Sequence, residues 1–160
     1  MMKLLGALFL MCGTIVLCRS WIFHRRQELR MIRETSVALE HMAASIRLKK
    51  EPLLQAVRQQ QERPLCGNMF GQLYQEVKGG MPLQRCWNNT FSVVEPSELA
   101  EILHGMDVTG DEQQITGALS LAAQQLRQAA EEKYAHQQQN ERLCLTLGLC
   151  AAGIVVVVLI

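Results

Sequence analysis

RRQELRMIRETSVALEHMAASIRL, residues 25–48, places apolar or small side chains at Leu29, Ile32, Ser36, Leu39, Ala43 and Ile46. The steps alternate between three and four, so the six positions form one stripe along an α-helix. The same signature returns toward the other end of the chain, where Ile115, Leu119, Ala122, Leu126 and Ala129 step by four and three. Two long amphipathic helices, each with one apolar face, predict an all-α fold in which those faces are natural partners.

Between the two stripes the chain is punctuated by proline and glycine. Pro52 fits the first turn of a short second helix reaching Val57, and Pro64 ends that element. Leu65, Met69, Phe70, Leu73 and Val77 mark a third helix, stopped by Gly79-Gly80. Pro82 starts a fourth with Leu83, Cys86 and Trp87, and Pro96 a fifth with Leu99, Ile102 and Leu103, with Gly105 placed as its cap. Met106-Asp107-Val108-Thr109-Gly110 reads as a turn-like link. The last helix then begins at Asp111 or Glu112, since Thr109 with Glu112 and Asp111 with Gln114 both have capping-box spacing. No proline follows, and the wholly polar stretch from His136 to Arg142 predicts a helical stalk standing in water. There is no internal repeat and no low-complexity tract.

Working outward, the stretches Leu4–Cys18 and Leu143–Ile160 contain no charge, whereas the residues between them are polar and charged. A single water-soluble domain would spread its apolar residues throughout. Eighteen residues from Leu143 rise about 27 Å as a helix, close to the thickness of a hydrocarbon core. The run Val155–Val158 favours a strand locally, but an unpaired strand cannot cross lipid. The first stretch rises only about 22 Å, and Trp21, Ile22 and Phe23 extend it past Arg19, whose charge snorkels to the interface. Lys3 followed by an apolar run is also the shape of a signal peptide. Leu17-Cys18-Arg19-Ser20-Trp21 offers no small-x-small cleavage site, so an uncleaved anchor is expected.

The expected organisation is an anchor at 1–23, a soluble helical domain at 24–142 and a membrane helix at 143–160. About six helices form the bundle. Arg19, Arg25, Arg26, Arg30 and Arg33 follow the first span, against Lys3 before it, which places the domain in the cytoplasm. These arginines set topology, and they also suit anionic lipid headgroups. The first long helix leaves the membrane and the last returns to it, so the two should lie antiparallel, with the short helices as a distal cap.

Net charge is +1, but its distribution is uneven. Basic residues dominate up to Arg63 and acidic ones beyond it. Between Cys86 and Leu126 the only base is His104, while Glu95, Glu98, Glu101, Asp107, Asp111 and Glu112 gather there. Such a run suits a basic partner or head-to-tail association of copies; the bland alternative is neutralisation within the fold.

Little in the chain points to catalysis. His24, His41, His104 and His136 fall on separate elements with no His-x-x-x-His pair. Asp107 and Asp111 lack the further oxygen ligands of a calcium loop, so helix capping is their expected role. Gly105, Gly110 and Gly117 are not followed by Gly-Lys-Ser/Thr, so no phosphate loop forms. Cys66 and Cys86 stand in no Cys-x-x-Cys pair; two thiols are expected in a reducing cytoplasm, with a bridge between them as the alternative. Near-neutral charge and few aromatics argue against nucleic-acid binding. No cofactor, metal or small-molecule substrate is expected. Asn88-Asn89-Thr90 matches a glycosylation sequon, a pattern too short to weigh in a cytoplasmic domain. Gly148 and Gly153 in the last span lack the four-residue spacing of a helix-pairing motif.

The chain also resembles a known family. Its opening Met2-Lys3-Leu4-Leu5-Gly6-Ala7, then Pro52-Leu53-Leu54-Gln55-Ala56, then Leu147-Gly148, are similar to the stage III sporulation protein AB family of endospore-forming bacteria. Gln84-Arg85-Cys86-Trp87 stands where the family often has an acidic-Ala-Trp motif, and only the Trp is kept. Leu103-His104-Gly105, Thr109-Gly110-Asp111 and Gln114 resemble a Leu-Gly, Gly-x-Ser/Thr-Asp, Gln pattern, with a changed order around Gly110. The resemblance implies a helical domain like the F platform protein of type II secretion and type IV pilus systems. It implies a non-enzymatic part in the channel complex linking mother cell and forespore, in the mother-cell membrane. The implied partners are a secretion-type ATPase, stage III sporulation protein AA, and the other channel proteins, with homo-oligomers as a further option. It brings no catalytic residues. The alternatives are a platform of a general secretion or pilus system and, from another class, a membrane-bound enzyme using Cys66, Cys86 or a histidine.

Overall fold

The computed structural model describes the backbone of residues 2–159 and the side chains of residues 13, 16, 19, 20, 23–136 and 146. Among the described residues every regular element is helical. The order is α1 (Met2–Lys49), α2 (Leu53–Gln59), a 3₁₀ turn (Gln60–Glu62), α3 (Gly67–Lys78), α4 (Leu83–Ser92), α5 (Ser97–His104) and α6 (Glu112–Leu159). The chain divides into two compact units, Glu28–Glu131 and the pair of segments Met1–Gln27 with Glu132–Ile160. Among the described residues no helix is long and apolar enough to cross a membrane. The charge-free stretches 4–18 and 143–160, expected as spans, fall on α1 and α6 where nearly all side chains lie outside the described residues.

Within Glu28–Glu131 the two stripes do what their spacing dictates. Ile32, Ser36, Leu39, Ala43 and Ile46 of α1 are buried, as are Leu119, Ala122 and Leu126 of α6, and each stripe's remaining members are partly buried. The Ser36 hydroxyl, enclosed at this seam, donates to the Ala123 carbonyl at 2.8 Å. At the far end Lys50 pairs with Glu112. Residue 36 sits beside 123 and residue 50 beside 112, so the helices run antiparallel. Residues 28 and 131 therefore lie at one end of this body.

The short helices start where proline allows. Pro52, Pro82 and Pro96 each stand one residue ahead of α2, α4 and α5, a position outside the first helical residue. Their carbonyls accept the first free amides: Gln55 and Ala56 on Pro52, Arg85 and Cys86 on Pro82, Leu99 on Pro96. The fixed proline φ makes this geometry cheap to adopt. Gly79 and Gly80 end α3, and Gly80 takes φ +94°, a conformation that costs only glycine little.

Helix α3 begins at Gly67, two residues later than its apolar pattern suggested, and no side chain of its own caps it. The missing acceptor comes from α1. Glu34 Oε1 accepts the Leu65 amide at 2.9 Å and the Cys66 amide at 3.3 Å, placing a carboxylate at the positive end of the helix dipole. The core behind it is aromatic. Trp87 and Phe91 have ring centroids 4.6 Å apart, and Phe70 meets Phe91 edge-on at 5.9 Å. All three rings are fully buried. Trp87 Nε1 donates to the Leu103 carbonyl at 2.9 Å, which ties α4 to α5.

Candidate functional site

The acidic run is the candidate surface, and the fold gives its members different tasks. Its centre is the link 106–111. Met106 and Val108 turn inward and are buried, which leaves Asp107 and Thr109 outside. The Gln84 side chain of α4 holds the link from both sides: Nε2 donates to the Met106 carbonyl at 3.1 Å, and Oε1 accepts the Val108 amide at 2.8 Å. Asp107 Oδ1 accepts both the Thr109 hydroxyl and the Thr109 amide, closing a local turn. Those bonds hold the Asp107 carboxyl below its ordinary range, with the hydroxyl contributing most. Gly110 takes φ +127°.

Of the two capping-box spacings in the sequence, one supplies the helix cap. Asp111 Oδ1 accepts the Gln114 amide at 2.8 Å and so caps α6. Thr109 instead turns both its amide and its hydroxyl to Asp107 Oδ1. Glu112 pairs with Lys50 across the bundle end. Glu98 is half-buried on α5, and Glu95 and Glu101 are exposed. Three of the six carboxylates thus have structural duties, and Glu95 and Glu101 face solvent.

All five arginines after the first apolar stretch, Arg19, Arg25, Arg26, Arg30 and Arg33, are exposed. Arg19, Arg25 and Arg26 belong to the unit of terminal segments, and Arg30 and Arg33 to Glu28–Glu131.

The residues that would serve an enzyme differ in exposure. Cys66 and Cys86 are buried free thiols, while His24, His41, His104 and His136 are all exposed. Burial, reinforced by the Glu34 carboxylate 3.5 Å away, pushes the Cys66 thiol from 9.0 up to about 12. Burial and Glu76 push Cys86 up as well. Neither is a thiolate at neutral pH, the form a nucleophile needs. Among the described residues no three His, Cys, Asp or Glu side chains gather to hold a metal ion. A shallow depression of about 670 Å³ lies on α3, lined by Gln61, Asn68, Gly71, Gln72, Gln75 and Glu76. None of its lining residues belongs to the acidic run.

The Cys66 shift makes a pH prediction. A thiol whose pKa is raised by folding stabilises the protein fully below the unfolded value, and that contribution fades as pH climbs through the folded one. Thermal stability should therefore hold to about pH 9 and then fall toward about pH 12. In a Cys66→Ala variant, melted at each pH, the alkaline fall should be visibly shallower. An identical alkaline limb would remove Cys66 from its cause.

Glu34 and Gln84 carry much of this geometry and neither stood out in the sequence. For Glu34 the one signal was negative: Pro64-Leu65-Cys66 supplies no Ser, Thr, Asp or Asn to cap a helix that must start there.

The family model of stage III sporulation protein AB matches residues 3–160 of the chain. No curated protein and no solved structure matches it.

Proposed function

This chain belongs to the stage III sporulation protein AB family, a family of sporulation-stage proteins, and from that premise we propose that it is a non-enzymatic membrane platform. In this reading it works in the channel complex between mother cell and forespore, and it docks a secretion-type ATPase on its cytoplasmic side. The observation that carries the reading is the course of the chain through the Glu28–Glu131 body. Helices α1 and α6 run antiparallel, so both connections to the charge-free stretches leave from one end. A body held twice at its base is built to be anchored; the short helices do not form the distal cap expected from the sequence, because the start of α3 bonds to Glu34, near that base. A likeness to the F platform of type II secretion is part of the same proposal.

The docking face we propose is the acidic run, and its exposed members name the test. Glu95 and Glu101 have no capping or turn-closing duty, so reversing them should leave the fold intact. The full chain in detergent micelles is titrated with the purified ATPase, with and without Glu95→Lys and Glu101→Lys together. Loss of rim charge complementarity should weaken binding by about tenfold or more and flatten its salt dependence. Undiminished binding would move the docking face elsewhere on the platform. Absence of binding by the unmodified chain would leave a passive structural part of the complex.

A further inference from the structure

Helix α3 turns one face away from the core. Asn68, Gly71, Gln72, Gln75 and Glu76 step by three, one, three and one, so they lie on one side of the helix. With Gln61 of the 3₁₀ turn they line the depression of about 670 Å³. That volume is within the range of ligand sites, about 300–1,000 Å³, but the walls are shallow and a small molecule would stay mostly in water. Two independent observations nevertheless call for an occupant. The first is a pair of polar atoms. Gln61 Nε2 and Glu76 Oε2 are enclosed, and neither has a hydrogen-bond partner. An enclosed polar atom left unpaired has given up water without replacement, which is costly. The Glu76 carboxylate also faces the Cys86 thiol, but a thiol is a weak donor and Oε2 is left without one. The second is Gly71. It stands mid-helix, where glycine is a poorer helix former than alanine. Neither packing nor a positive φ requires it, since an added Cβ would meet nothing within 4 Å. What glycine provides there is bare backbone on the floor of the depression, where another chain can come close.

We propose that this face of α3 seats an extended peptide segment of a protein partner, with a lysine or arginine of that segment paired to Glu76. The two unpaired atoms are a donor and an acceptor, and one basic residue answers both. Its side chain donates to Glu76, and a main-chain carbonyl accepts from Gln61. Glu76 is the only charged residue in the lining, so no base competes for it. Asn68, Gln72 and Gln75 each carry a primary amide, which both donates and accepts, as a peptide unit does. From Asn68 to Glu76 the helix rises about 12 Å, the length of about four extended residues. The site shares no residue with the acidic run, so it stands or falls apart from docking there.

The test titrates the isotope-labelled full chain, in nonionic detergent micelles, with an acetylated and amidated Ala-Ala-Lys-Ala-Ala peptide. Nuclear magnetic resonance follows the side-chain amides of Gln61, Asn68, Gln72 and Gln75. Their signals should move and saturate, and the same peptide with glutamine in place of lysine should bind about fivefold more weakly or worse. Glu76→Gln should lose the same factor and bind the two peptides alike. Gly71→Leu, whose side chain fills the depression, should abolish the shifts while melting no lower than the parent chain. Glu95→Lys with Glu101→Lys should leave the titration unchanged. Signals that do not move, equal affinity of the parent chain for both peptides, or a loss in the Glu95 and Glu101 double variant equal to that in Glu76→Gln overturns the site.

Discussion

A Trp87→Ala chain should lose most of the ordered packing of α3, α4 and α5. Trp87 is fully buried, packs at a tilt against Phe91 and reaches across to α5 through its indole N–H. Truncating a buried large aromatic to alanine costs about 3–5 kcal/mol, and small domains hold only about 5–15 kcal/mol in all. The helices left around the cavity are short, at 12, 10 and 8 residues, and helices of that length do not persist without tertiary contacts. Trp87→Phe is the informative control. It keeps a ring in the core and removes the indole donor. The Leu103 carbonyl still accepts the Met106 amide at 3.2 Å, so no orphaned acceptor remains and the donor's loss alone costs about 0.5–1.5 kcal/mol. The readout is the rate at which a thiol reagent labels Cys66 and Cys86, mapped by peptide. Both thiols are closed in the folded body, Cys66 four residues ahead of Phe70 and Cys86 next to Trp87 in sequence. Labelling should rise by orders of magnitude for alanine and only severalfold for phenylalanine. Thiols that stay closed in Trp87→Ala would show that the aromatic cluster does not hold α3, α4 and α5 together.

The two long stripes and the punctuation between them were legible because both are local. The burial of Ile32, Leu39 and Ile46 follows from their spacing, and the ends at Pro64, Gly79 and Pro96 follow from what proline and glycine do to the backbone. The antiparallel run of α1 and α6 was reachable from topology alone. What stayed hidden was every device joining residues far apart in the chain. Glu34 caps a helix that starts 33 positions later, and Gln84 grips a link whose nearest bonded atom is 22 positions away. Neither glutamate nor glutamine carries a pattern that announces such a reach. The acidic run was visible as composition, but its division of labour was not. Asp107 closes a turn and Asp111 a helix because of where Thr109 and Gln114 fall, and Glu112 meets Lys50 only because the bundle brings two ends together. A reading of charge alone treats these six residues alike. The structure leaves Glu95 and Glu101 as the members to test first.

Gly67→Ala and Gly71→Ala should change stability in opposite directions, although the two residues are four apart on α3. Gly67 is buried, and a Cβ there would stand 2.3 Å from the Gln61 carbonyl oxygen and 2.9 Å from its carbon. Those are backbone atoms of the 3₁₀ turn, which cannot step aside as a flexible side chain would. Either α3 or the turn must shift, and overpacking of this kind costs about 1–3 kcal/mol, sometimes more. The shift would act on a sensitive joint. The Gly67 amide donates to Arg63 at 3.1 Å, and the two preceding amides are those that Glu34 accepts. Moving the start of α3 therefore strains a cap as well as a contact. Gly71 lies mid-helix with nothing within 4 Å of its added Cβ. Alanine there removes backbone freedom from the unfolded chain without a clash, and should stabilise by about 0.5–1 kcal/mol. Chemical denaturation of both variants, followed by helical circular dichroism, gives the comparison. A lower midpoint for Gly67→Ala beside a higher one for Gly71→Ala is the expected result. If Gly67→Ala were as stable as the parent, the close approach of α3 to the 3₁₀ turn would be ruled out, and with it the account of why glycine stands at the start of this helix.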